Sequence, residues 1–338
     1  MKKTGIILCL ILLSVPAFSQ NVSKVGTTAA GFLNIDVGAR AVAMGSAFTT
    51  ICDDASAVYW NPAGLGRVQS PQVMFSHTEW LVDVTFNYAA VLVPMQNVGT
   101  LAASATFLTM DDMERTTINN PMGTGEYFSA GSYAFALSYA RNLTDRFSIG
   151  GSAKYIREEI YHSSASGIAF DIGTLFETQF NGLMLGMSIS NYGTKMQMSG
   201  RDMLTQNDID PSIYGNNENI SGYLQTDKYD LPLMFRVGIG MDLLKGAGNS
   251  NLVLAVDALH PNDDVEYVNV GAEYTFNQLF SLRGGYKSLF ADESEEGLTL
   301  GGGIKYRIMG FTELRLDYAY QDFGIMTNVQ KFTLNLGF

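Results

Sequence analysis

From Gln72 to the end, the chain alternates apolar and polar side chains with a period of two, and most of its polar positions are small. Between Thr312 and Gln321, Leu314, Leu316, Tyr318 and Tyr320 occupy the even positions, with Glu313, Arg315, Asp317 and Gln321 on the odd ones. Between Gln330 and Phe338, Phe332, Leu334, Leu336 and Phe338 oppose Lys331, Thr333, Asn335 and Gly337. Between Leu233 and Leu243, Phe235, Val237, Ile239 and Met241 oppose Arg236, Gly238, Gly240 and Asp242. Successive side chains of a strand point to opposite faces, so each stretch is a strand with one apolar and one polar face. A soluble sandwich alternates too, but its water-facing positions would be rich in Lys and Glu. Here one strand carries Ala134, Ala136, Ser138 and Ala140, and another Ala102, Ser104 and Thr106. Small residues suit the crowded inside of a barrel, and the Leu, Val, Ile, Phe and Tyr face suits lipid outside it.

Fourteen strands are expected, at 71–80, 84–94, 97–109, 129–141, 145–160, 165–178, 182–192, 231–244, 250–260, 265–276, 279–290, 296–308, 312–322 and 329–338. An even number lets the first and last strands pair antiparallel. The connections after even-numbered strands are all short, and those after odd-numbered strands include the long ones, 110–128 and 193–230. Short periplasmic turns and long outer loops produce that parity. In lipid an unpaired backbone group costs several kcal/mol, so the last strand must close on the first. The expected fold is all-β: a fourteen-stranded antiparallel transmembrane β-barrel over 71–338, with an N-terminal, partly helical hatch in its lumen.

That hatch is 20–70. It lacks ten-residue alternation, and its only charges are Lys24, Asp36, Arg40, Asp53, Asp54 and Arg67. Gly38–Gly45 reads as one or two helical turns, Asp53-Asp54 as the N-cap of a short helix, and Asn61-Pro62 as a turn in which Gly64 permits a positive φ. A free domain of this size would carry more charge; a plug packed in a barrel need not. Residues 1–19 read as a signal peptide: Lys2 and Lys3, an apolar run from Ile6 to Leu13, then Ala17-Phe18-Ser19, with cleavage expected between Ser19 and Gln20. The run is shorter than the about 20 residues that span a bilayer. Cleavage would take the net charge from −12 to −14 and leave Cys52 as the one cysteine. So acidic a chain is no nucleic-acid binder, and one cysteine makes no disulfide framework.

The stretch GARAVAMGSAFTTICDDASAVYWNPAGL, Gly38 to Leu65, resembles the N-terminal signature of the PorV/PorQ family, within the wider FadL-like superfamily of outer-membrane barrels. Gly38, Arg40, Gly45, Asp53, Asp54, Trp60, Asn61, Pro62 and Gly64 carry the resemblance. Thr50-Ile51-Cys52 departs from it where a small residue is usual, which makes Cys52 a small buried residue of the hatch. Leu334, Leu336 and Phe338 resemble the C-terminal signal read by the barrel assembly machinery.

The resemblance implies a Gram-negative outer-membrane protein in contact with lipid, and two functions. PorV and PorQ members serve the type IX secretion system, receiving secreted proteins with C-terminal signal domains from the translocon or anchoring a surface partner. FadL members pass hydrophobic small molecules through a hatch-plugged barrel. The first is favoured by Gly38–Leu65. The second needs a greasy inner path, for which Leu175, Met184, Val253 and Leu259 are candidates, unless they pack on the hatch. An enzyme is disfavoured: His77, His162 and His260 are scattered, no Gly-x-Ser-x-Gly element occurs, and no cofactor is expected. The acidic run 292–296 and the segment 260–264 read more simply as solvated turns than as metal sites. Loop 193–230 is a solvated outer loop or a partner surface, with room for a small helix near Met203. Inward charges Glu273, Arg283, Lys287, Lys305, Arg307, Glu313, Arg315 and Asp317 either pair across the wall or form a ladder that clamps the hatch through Arg40, Asp53 or Asp54.

Overall fold

The structure, a computed structural model, describes residues 25–338 apart from 209, 211, 213–218, 245–248, 292–293 and 309–311. The expected leader 1–19 and its cleavage site lie outside the described residues.

Fourteen antiparallel strands form a closed barrel: β1 (Gln72–Glu79), β2 (Thr85–Met95), β3 (Gly99–Thr109), β4 (Ala130–Thr144), β5 (Phe147–Ile160), β6 (Ser163–Glu177), β7 (Met184–Gly193), β8 (Met234–Asp242), β9 (Asn251–Pro261), β10 (Tyr267–Phe276), β11 (Phe280–Leu289), β12 (Leu298–Ile308), β13 (Thr312–Asp322) and β14 (Asn328–Gly337). Each strand pairs with its sequence neighbours, and β1 pairs with β14 from Gln72↔Gly337 to Glu79↔Gln330. The apolar face of each strand points outward: Leu137 is 71% and Leu282 70% exposed, while Ala136, Ser138 and Arg283 between such positions are buried. A one-residue slip of β13 would turn Glu313, Arg315 and Asp317 outward, so this alternation sets the register.

Strand ends differ from expectation where local chemistry intervenes. The eighth strand starts at Met234 rather than 231, because Pro232 has no N–H to give a ladder. β4 runs on to Thr144 through an irregularity between Asn142 and Thr144. The expected helix near Met203 is a single 3-10 turn, Arg201–Met203, beside a ribbon of Leu204–Asn207 and Ile220–Tyr223. In the run 292–296, Glu296 meets Lys287 at 2.7 Å and Glu295 accepts from the Ile325 N–H; Asp292 and Glu293 lie outside the described residues.

The N-terminal segment, 25–70, is built from turns: 3-10 turns at Gly31–Asn34 and Pro62–Arg67, and single helical turns at Ala39–Val42 and Ala57–Trp60. The second helical turn starts later than the sequence suggests. Asp54 does not cap it; its Oδ1 accepts from Ser56 N and Oγ at 2.9 and 2.5 Å, and Ser56 is the residue before the helix. Gly64 has no positive φ. It is required because a Cβ there would lie 2.2 Å from the Cys52 carbonyl oxygen.

Candidate functional site

The N-terminal segment packs against inward-facing residues of the barrel wall. Its aromatic anchor is Trp60, fully buried, whose Nε1 donates to the Val37 carbonyl at 2.9 Å. Asn61 Nδ2 donates to the carbonyls of Thr49 (2.9 Å) and of Thr174 on β6 (3.1 Å). The Arg236 guanidinium lies 5.6 Å from the ring centroids of both Tyr59 and Trp60.

Glycine pairs in the wall receive this segment. Gly150 and Gly173 are cross-strand partners on β5 and β6. A Cβ at Gly150 would lie 2.4 Å from the Pro62 carbonyl oxygen, and one at Gly173 2.0 Å from Asn61 Oδ1. At Gly186 and Gly238, partners on β7 and β8, a Cβ would lie 2.9 Å from the Thr49 carbonyl oxygen and 3.1 Å from Thr49 Cβ respectively, and at Gly238 also 2.3 Å from Asp257 Oδ1. Gly271 and Gly285, partners on β10 and β11, take the Met44–Gly45 turn; a Cβ at Gly285 would lie 2.1 Å from Gly45 N. Each pair is a notch in the wall that admits backbone where any side chain would exclude it.

Polar side chains of the wall hold the backbone between the notches. Asp257 Oδ2 accepts from Phe48 N and Thr49 N, both at 2.8 Å. Thr299 Oγ1 accepts from Gly45 N (2.9 Å) and Thr333 Oγ1 from Ala39 N (2.8 Å). Ser188 Oγ donates to the Trp60 carbonyl at 3.1 Å. Lys287 meets the Asp36 carboxylate at 2.6 Å, and Lys331 donates to the Asp36 carbonyl.

The inward charges divide. Six groups form a closed, alternating ring: Arg40 to Glu273 (2.9 Å), Glu273 to Arg283 (2.5 Å), Arg283 to Asp317 (2.7 Å), Asp317 to Arg315 (3.2 Å), Arg315 to Asp54, and Asp54 back to Arg40 (3.6 Å). Arg40 also binds Asp53, whose side chain is 58% exposed. Arg283 on β11 reaches Asp317 on β13 because β12 presents Gly303 between them, where a Cβ would lie 2.1 Å from Asp317 Oδ1. Lys305, Arg307 and Glu313 are not in the ring. Lys305 pairs with Glu313 at 2.8 Å and Arg307 approaches it at 3.8 Å, in a partly exposed cluster at the end of β12 and the start of β13. Sequence periodicity placed all eight on one face, but strand position separates the groups that reach the segment from those at the barrel end.

Burial opposes ionisation of Asp54, but Arg315, then Arg40, outweigh it and hold the carboxyl below its ordinary value of 3.8. For Asp36 burial is likewise outweighed, by Lys287 and by hydrogen bonds that include Ser46. Burial pushes the Cys52 thiol well up, with Asp53 and Asp54 adding to it, so Cys52 is an inert packing group here.

Of the candidates for a greasy path, Leu175 is fully buried in one apolar cluster with residues of the segment, Met184 packs against that cluster with its Sδ 3.0 Å from Arg67 Nη1, Leu259 is buried and Val253 is half-buried. The cavity between the segment and β2–β5, lined by Phe32, Tyr59, Tyr88 and Lys154 among others, measures about 20 Å³, room for a single water. Among the described residues no group of three His, Cys, Asp or Glu side chains is arranged to hold a metal. Asp257, Asp36, Lys331 and Arg236 were not singled out from the sequence. Their signal was parity: Asp257, Lys331 and Arg236 sit on the inward register of their strands.

The family described as type IX secretion system protein PorV matches residues 18–213, more than half of the chain. No curated protein matches in sequence. Among solved structures, the CymD monoaromatic hydrocarbon channel is similar at TM-score 0.54 and 12% identity, over 90% of this chain and 97% of that one. The Ralstonia pickettii toluene transporter TbuX is similar at 0.54 and 12%, over 89% and 97%. A Pseudomonas aeruginosa FadL homologue is similar at 0.51 and 12%, over 87% and 96%. At such identity the likeness is one of fold.

Proposed function

Because this chain belongs to the PorV family of type IX secretion system proteins, we propose that it receives or anchors secreted proteins at the cell surface through its long outer loops, while its N-terminal segment plugs the barrel as a fixed hatch. The family and the FadL-like barrel make it an outer-membrane protein. In this reading the outward apolar band faces lipid, the short turns face the periplasm, and 110–129 and 194–233 face outside. The partners are the translocon and secreted proteins with C-terminal signal domains.

The observation that carries the reading is the family match over 18–213, which takes in the whole described N-terminal segment and the first seven strands. The filled interior supports it. Glycine notches, a closed salt-bridge ring and a cavity of only about 20 Å³ beside β2–β5 are what a seated plug requires. The second reading, passage of hydrophobic small molecules, draws on the fold shared with the hydrocarbon channels. It requires the plug to leave at least one notch and the ring to break. The remaining site residues take supporting roles: the Gly38–Gly64 motif shapes the plug, the ring clamps it, and Leu334, Leu336 and Phe338 serve barrel assembly.

Affinity isolation of the intact protein from gently solubilised outer membranes tests the choice. Recovery with translocon components or proteins bearing C-terminal signal domains is expected. Recovery with no protein partner, and with lipid or detergent bound inside the barrel, would replace this reading with the transport one.

A further inference from the structure

The plug crosses the barrel from end to end, and its two ends are held unequally. At the short-turn end, Asn142 in the β4–β5 hairpin donates to the Gly66 carbonyl at 2.7 Å, Arg67 approaches Glu177, and the chain continues into β1. The other end, Val25–Ala30, lies among the long connections. Thr28 forms a parallel bridge with Asp230, and Ala29 N donates to the Asp230 carbonyl at 2.9 Å. Thr28 Oγ1 donates to Asp263, after β9, at 2.6 Å. Ala30 N donates to Glu158 at 3.1 Å. Val25 is 67% exposed, beyond the mouth.

Asp230 belongs to the base of the β7–β8 connection. Tyr229 and Met196 exchange both backbone hydrogen bonds, at 2.9 and 3.0 Å, so 196, 229–230 and 28 lie side by side as three short extended pieces. This base packs on the N-terminal segment. Met196 and Leu231 are buried in one apolar cluster with Ala30 and Phe32 of the plug. Asn191 and Asn262 hold the carbonyls of Pro232 and Leu231.

We infer that Thr28–Ala30 form a strap that ties the base of the β7–β8 connection to the plug from the outer side, so that a partner lifting the loop base frees the strap, and a freed strap loosens the loop base. The strap is held at the mouth by the bonds from Thr28 Oγ1, Ala29 N and Ala30 N, outside the ring and the notches. Elements with few buried bonds open first. The coupling is reciprocal, so each piece raises the opening of the other by the same factor. This inference rests on the reading that the long connections face outside and bind the partner.

The test uses the full chain in intact cells, with Cys52→Ala as background. Val25→Cys is expected to react with a membrane-impermeant maleimide on intact cells. Reaction only after the outer membrane is permeabilised would overturn the orientation, and the inference with it. With orientation secured, Ala29→Pro removes the strap's donor to Asp230, and Asp263→Ala removes the acceptor of Thr28. Each is expected to raise protease cleavage at the loop base about fivefold, the scale of one hydrogen bond, while the barrel keeps its heat-modifiable migration. Conversely, Tyr229→Pro is expected to raise labelling of Thr28→Cys by a similar factor. Unchanged cleavage in both strap variants, with Val25→Cys still labelled on intact cells, would overturn the strap and leave the parent reading standing.

Discussion

At the residue scale, side chains act here by what they admit as much as by what they bind. Gly303 is needed so that the Arg283 fork can cross β12 to Asp317, and a lysine could not span Glu273 and Asp317 with one ammonium. Arg315 is the wall's direct hold on Asp54, whereas Arg307 approaches Glu313 at 3.8 Å. Breaking a buried ion pair commonly costs about 3–5 kcal/mol. Arg40 remains beside Asp54 and Arg283 beside Asp317, so Arg315→Ala should fall at the low end of that range. Arg315→Ala is therefore expected to raise protease sensitivity within 38–65, and Arg307→Ala to leave it unchanged. Equal protection in the two variants would remove Arg315 from the clamp. The motif residues were readable from the sequence as a string; Asp257, whose carboxylate takes two of the plug's backbone N–H groups, was not. An aspartate on the inward face of a strand has no sequence mark to say which backbone will come to meet it.

At the scale of the element, the N-terminal segment has almost no regular structure of its own, and four-residue helices are not stable alone. The wall holds it in shape. Two of its carboxylates, Asp54 and Asp36, are held below their ordinary value of 3.8 by cationic neighbours. Their stabilisation is fully present above that value and is lost as pH falls through the lower folded-state values. Acidification below 3.8 is thus expected to loosen the plug before the strand ladders, which carry no such dependence in their backbone bonds. Cys52 reports it: 4,4′-dithiodipyridine, which reacts at acid pH, should modify this buried thiol faster there than an Asp54→Asn, Asp36→Asn variant's own neutral-to-acid change predicts. A flat profile for the native chain would sink the argument. The segment's low charge accords with the burial of most of its side chains. Its path was not legible in the sequence, because turns of three or four residues leave no period to read.

At the scale of the whole molecule, closure leaves no strand edge, and the last strand is the last to be supplied. Phe338 donates its N–H to the Pro71 carbonyl at 3.0 Å at the seam where β14 meets β1. Deleting Phe338 is expected to lower the yield of assembled, heat-modifiable barrel in the outer membrane, with unfolded chain accumulating; an unchanged yield would remove its role in assembly. The sequence by itself determined the barrel. A period of two with small inward residues admits one enclosed polar interior, the parity of loop lengths orders the strands, and, in the proposed membrane setting, the cost of an open edge joins the first to the last. Only the tertiary structure decided which inward groups meet. Glu273, Arg283, Asp317, Arg315, Asp54 and Arg40 come from three strands and the N-terminal segment, and their contact depends on strand tilt and on where three glycine pairs let the backbone rest. Periodicity assigns a side chain to a face; only the folded register assigns it a partner.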